Sequence, residues 1–174
     1  LGSRQSGLKE ADIKLPARAL AATTRELLYL AESVQKMFVP AMDIYENFDK
    51  VGVKELRKIE NEIFDVHGKI KNFLAKVSQQ NLSEDLLKRN GDLMMFADNM
   101  AAATDVIVNR LLKLAKERNE KALVFSDEGW RELLALHDRV LVNMQLAMDV
   151  LVSSDLETAR QLILEKNELS SMTQ

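Results

Sequence analysis

The residues that could do chemistry in this chain are few. There are two histidines, His67 and His137, and no cysteine, so disulfides, thiolate metal sites and thiol nucleophiles are excluded. His67 stands beside an apolar heptad stripe and is followed by Gly68 and Lys69. A histidine projecting from a helical bundle, with a small neighbour and a nearby cation, could accept a phosphoryl group. His137 falls on or beside the stripe of a later helix. Glu60 and Glu62 lie on one predicted helix, and Asp98 and Asp105 fall seven apart on one face of the next. Carboxylates on adjoining helices suit a hard divalent cation. The structural alternative is that each histidine makes a local hydrogen bond inside a bundle and each carboxylate belongs to a solvated face. No Glu-x-x-His pair occurs, which argues against a ferritin-like di-iron centre. A Gly-rich phosphate loop, a nucleophile elbow and a basic aromatic groove are also missing from the sequence.

Composition dictates the elements that must position these groups. Two Pro and six Gly in 174 residues leave long uninterrupted helices as the economical reading, and 5% aromatics would serve a strand-rich core poorly. At 47% hydrophobic and 29% charged the chain reads as soluble and globular, and a net charge of -3 favours neither nucleic acid nor an anionic membrane. No uncharged apolar run approaches the ~18 residues that span a bilayer. The 8 Met are scattered along the apolar stripes as core filling. The start at Leu1, with a Gly/Ser/Arg/Gln stretch to Gly7, reads as a leader or expression remnant, so residues 1–14 are expected to stand outside the fold.

The chain also repeats itself 106 residues on. Arg25-Glu26-Leu27-Leu28 returns as Arg131-Glu132-Leu133-Leu134, and Ala41-Met42-Asp43 as Ala147-Met148-Asp149. Leu30, Val34, Asp49, Leu56, Asn61 and Glu62 return as Leu136, Val140, Asp155, Leu162, Asn167 and Glu168. Roughly a third of the span from Arg25 to Ile63 is identical to its counterpart, without a gap.

Heptads place a first helix over 17–49 (Leu20, Leu27, Val34, Ala41, Phe48), with Pro16 in its first turn and a kink or break at Pro40. A second runs over 53–79 along Leu56, Ile63, Ile70 and Val77. A third starts at an N-cap Ser83 and runs to about 119 through Leu86, Leu93, Met100, Ile107 and Leu114. Ala101-Ala102-Ala103 marks close helix packing in it. Ser126 opens a fourth helix, to about 153. Asp155 caps a fifth, with Ala159, Leu162 and Leu169 inward. The expected architecture is all-α: an antiparallel three-helix bundle over 15–119, then a helical hairpin over 120–174 from an incomplete second bundle. An apolar stripe left open on that hairpin predicts self-association, as a homodimer.

Several stretches carry a resemblance. They are Lys14 to Phe38, Arg57-Lys58-Ile59-Glu60-Asn61-Glu62-Ile63, Ile70 to Val77, Asp105-Val106-Ile107-Val108-Asn109, and Phe125-Ser126-Asp127-Glu128-Gly129. In order and spacing they resemble the PhoU family, and more narrowly the PhoU-like C-terminal domain of bacterial sodium/phosphate cotransporters. The resemblance covers the chain from about Leu15 to its end. It implies a tandem three-helix repeat of six helices, the last not included here. It also implies a position on the cytoplasmic side of the inner membrane, next to a sodium/phosphate transport region of the same polypeptide. The implied role is control of phosphate uptake rather than catalysis.

Family members often hold metal clusters through Glu or Asp followed four residues later by Asp. Here Glu60 meets Phe64, Ala101 meets Asp105, and Lys166 meets Ser170, so each pair is broken and neither metal nor another cofactor is expected. The alternatives are a free-standing PhoU-like regulator, or a bundle binding a divalent or ferric metal at Glu60 and Asp105 or carrying phosphate on His67.

Overall fold

The computed structural model describes residues 4–172, and among them the architecture is an all-α helical bundle. A short 3-10 helix, Glu10–Lys14, precedes α1 (Pro16–Glu46) and α2 (Lys50–Ser78). Next come α3 (Glu84–Asp105), a π-helical segment (Val106–Leu111) and α4 (Leu112–Glu120), which run on from one another as a single rod. Finally α5 spans Asp127–Met172. α1, α2 and the α3–α4 rod pack mutually as the predicted three-helix unit, and α5 lies along α1.

α1 is the centre of the core. Leu20, Leu27, Leu30, Val34, Met37, Ala41 and Ile44 are all buried along it, as the heptads require. Pro16 occupies its first turn. Pro40 deprives the Lys36 carbonyl of its helical donor, yet the helix is unbroken there, held by buried Phe38 and Ala41 on either side. The turn into α2 is capped by Asp49, whose carboxylate accepts from the Val51 and Gly52 amides at 3.1 Å. Gly52 fits closely here: a Cβ would come within 3.1 Å of Ile44 Cγ1, so the isoleucine would have to shift by a few tenths of an ångström to admit one. Ser83 and Ser126 cap α3 and α5 as expected, accepting from Leu86 N and Gly129 N.

Three expectations are corrected. Residues 4–14 are part of the fold. Glu26 is buried on α1 and its carboxylate needs donors, which Arg4 and the Gly7 amide supply at 3.0 and 2.9 Å. Asp12 and Ile13 are buried too, Asp12 pairing with Arg18 at 3.1 Å. Second, Leu114 does not continue the stripe of the third helix. The π segment slips the phase by one residue, so Ile107 and Val108 are both buried, Leu112 and Ala115 follow, and Leu114 is 49% exposed.

Third, one helix stands where two were expected. The Ser153 hydroxyl donates to the Asp149 carbonyl at 2.9 Å inside an unbroken α5, and no Gly or Pro after Gly129 breaks it. The side chains of Asp155, Ala159, Leu162, Lys166, Leu169 and Ser170 lie outside the described residues. Of the alanine run, Ala103 packs against the core while Ala102 is exposed.

Candidate functional site

The chemistry-bearing side chains gather along the outer seam between α2 and the α3–α4 rod, because the two run antiparallel and their polar flanks face each other. At one end are Arg57 and Glu60 of α2, Asp105 of α3 and Asn109 of the π segment. Arg57 Nη1 donates to Asn109 Oδ1 at 3.1 Å, and Asn109 Nδ2 donates to Asp105 Oδ1 at 2.6 Å. Arg57 Nη1 lies 3.6 Å from Glu60 Oε2. That oxygen is buried without a hydrogen bond, on a side chain only 12% exposed.

Two turns beyond Glu60 along α2, His67 Nε2 meets Asp98 Oδ1 at 2.9 Å, and Lys71 Nζ reaches the same oxygen at 3.2 Å. The hydrogen bond from His67 above all, then that from Lys71, holds the Asp98 carboxyl below its ordinary pKa.

The sequence-predicted residues are therefore brought together in part. Glu60 and Asp105 join one network, but Arg57 and Asn109 stand between them, so a guanidinium occupies the place a shared cation would take. Asp98 and Asp105 do share the face turned to α2. Glu62 does not join them: two residues from Glu60, it points away and lines a groove between α1 and α2 with Tyr29, Ser33 and Lys36. Among the described residues no three of His, Asp and Glu converge to hold a metal ion.

Lys69, the cation expected beside His67, pairs instead with Asp65 at 3.0 Å, and Lys71 takes its place. His67 makes a bond across helices rather than a local one. His137 is the half-buried bundle histidine, 3.4 Å from Asp138 Oδ1 and packed edge-on to Phe38 at 5.5 Å.

Two features escaped the sequence reading. Arg89 is buried on α3, donating through Nη2 to Thr24 Oγ1 at 3.2 Å and to the Leu151 carbonyl at 3.1 Å, and so ties α3, α1 and α5 together. At the end of the bundle Arg118 donates to the Tyr45 carbonyl and lies 4.5 Å above the Phe125 ring, which stacks on Tyr45 and adjoins Trp130. The aromatics were visible in sequence, but the phase that aims Arg118 at them was not.

Along the seam Glu60, Asp98 and Asp105 each have a cation or an amide beside them. Comparison with known proteins bears on what such a bundle serves. Over 147 residues, 84% of this chain, it is 31% identical to "Putative inorganic phosphate export protein YjbB" of Salmonella typhimurium. Over 159 residues, 91% of the chain, it is 28% identical to the proteins of the same name from Escherichia coli strain K12 and Shigella flexneri. The chain spans between 27% and 29% of the length of these relatives. No family model matches it, and no solved structure does. Among the described residues no helix is long and apolar enough to cross a membrane.

Proposed function

We propose that this chain is a non-catalytic, PhoU-like regulatory and interaction domain of a sodium/phosphate cotransporter-type membrane protein, acting on phosphate movement through a transmembrane region of the same polypeptide. The observation that carries this reading is the similarity to proteins named for phosphate export, of which the chain matches little more than a quarter. Two further features support it. The internal repeat agrees with the tandem architecture of the PhoU family. The seam neutralises its own charges, which suits a structural or regulatory bundle better than a catalytic centre. On this reading the domain lies at the cytoplasmic face and needs neither metal nor another cofactor.

The test is phosphate flux in cells carrying the full-length protein, with residues 15–174 present or removed. The expected result is a flux that persists without the domain but no longer responds to the phosphate supply. An unchanged response overturns the regulatory role. Elemental analysis of the purified chain should find no stoichiometric metal; tightly held iron, zinc or manganese would instead favour a metal-binding bundle at Glu60 and Asp105.

A further inference from the structure

The segment before α1 is held in two different ways. Residues 10–14 are anchored by packing: Ile13 is buried, and buried Asp12 pairs with Arg18 at 3.1 Å. Residues 4–7 are exposed, carry no regular structure, and are fastened chiefly by one side chain of α1. Arg4 Nη1 donates to Glu26 Oε2 at 3.0 Å, and the Gly7 amide donates to Glu26 Oε1 at 2.9 Å. The Arg4 guanidinium also lies 3.7 Å over the Tyr29 ring. Leu8, half-buried against the core, marks where the two modes meet.

A carboxylate is a particular kind of fastener. Glu26 is 3% exposed, and an ion out of water is costly unless donors replace its hydration. Here residues 4–7 supply them. When they leave, water reaches the same carboxylate and hydrates it in their place. A leucine at this position would be satisfied only under cover, whereas a glutamate is satisfied covered or bare. Glu132, its counterpart 106 residues on, is exposed, so the helix itself does not demand burial here. Little apolar surface travels with the segment either, because Leu8 is the one large apolar residue in 4–8.

We propose that residues 4–8 are a releasable strap locked by Glu26, which opens as a unit about the extended Lys9 while the bundle stays folded. Closed, the strap fixes the line along which the chain enters α1. It also covers one face of Tyr29, a residue that lines the groove between α1 and α2. Open, it frees that line and bares Glu26 and Tyr29. The bundle thereby holds or lets go of the chain that leads into it. The lock rests on these contacts alone. Its use rests on the reading proposed above, in which that chain comes from the transmembrane region and the strap is the joint between the two.

Hydrogen exchange at the Gly7 amide reads the lock directly, since its acceptor is Glu26. In the purified chain this amide should exchange about a hundredfold slower than in an unstructured peptide, yet far faster than the amides of Leu27 and Leu30, which open only with the bundle. Arg4→Ala lies outside the core. It should speed Gly7 about tenfold and leave Leu27 and Leu30 unchanged. A Gly7 amide as fast as free peptide, one as slow as Leu27, or no response to Arg4→Ala overturns the lock. Phosphate flux by the full-length protein tests the joint. Arg4→Ala should blunt the response to phosphate supply in the same direction as removing residues 15–174. A response lost on removal but intact in Arg4→Ala overturns the joint and leaves the regulatory reading standing. A response unchanged by either overturns both.

Discussion

α1 and the first half of α5 carry the same sequence pattern in opposite surroundings. Leu30 is 1% exposed and its counterpart Leu136 is 59% exposed. Glu26 is buried under Arg4 and the Gly7 amide, whereas Glu132 is exposed. α1 is packed by α2, the α3–α4 rod and α5, while α5 leans chiefly on α1. Its buried face is also rotated: Met148 and Leu151 are buried, where Met42 and Tyr45 of α1 are only half-buried. A repeated apolar pattern therefore specifies a helix and a willingness to be covered, and the number of available partners decides which face is used. Length adds to this. At 46 residues α5 is about 69 Å long against about 46 Å for the 31 residues of α1, so α1 cannot cover it from end to end.

The sharpest way to break the comparison is to truncate both members of a repeat-related pair. Leu30→Ala should cost about 3–5 kcal/mol of stability in urea unfolding, at any protein concentration. Leu136→Ala should cost within about 0.5 kcal/mol in the dilute chain, with a larger loss only at concentrations where the chains associate. Equal losses in the dilute chain would mean that α5 is as well packed as α1. Arg89→Ala removes the tie from α3 to the Leu151 carbonyl and should cost about 3 kcal/mol, with hydrogen exchange accelerating in α5 before α1. Uniform acceleration would show that α5 is not the separable element.

Glu26→Gln should cost about 2 kcal/mol and Glu132→Gln nearly nothing, read from the two denaturation midpoints. At the junction between the regions, Ala122 ends α4 with φ 49°, the left-handed position of a C-cap in which Leu123 N–H returns to the Arg118 carbonyl. Ala122→Gly should raise stability by about 1 kcal/mol, and a loss would argue against that cap.

The smallest effect concerns the seam. Asp98 has a depressed pKa in the fold, so its stabilising share is complete above the ordinary aspartate value and fades as pH falls through the folded value. Thermal melts of Asp98→Asn should therefore lose stability less steeply than the parent below pH ~4 and run parallel to it above.

Much of the fold was legible because Leu20, Leu27, Val34 and Ala41, and then Leu56, Ile63, Ile70 and Val77, announce their helices by spacing alone. Ser83 and Ser126 announce their starts by side-chain chemistry. The continuity of α5 was not legible, since Asp155 reads as a cap whether or not the chain turns. At the seam, Asp98 and Asp105 were correctly placed on one face. The contacts of Arg57 and Asn109 between Glu60 and Asp105 have no motif of their own in the sequence, because they depend on the phase in which α2 faces the rod. Glu26 was noticed only as part of a repeated tetrapeptide, and nothing local marks it as buried.

The π segment has a consequence for direction. One supernumerary residue in a helix turns everything beyond it by about 100°. Arg118 lies beyond Val106–Leu111, and the azimuth it inherits aims it at the Tyr45 carbonyl and the Phe125 ring, next to Trp130 in the first turn of α5. Excising a single residue from the segment would swing Arg118 to another quadrant of the rod and unmoor the aromatic pivot. One extra residue in the middle of the rod thus decides which side of its far end meets the start of α5.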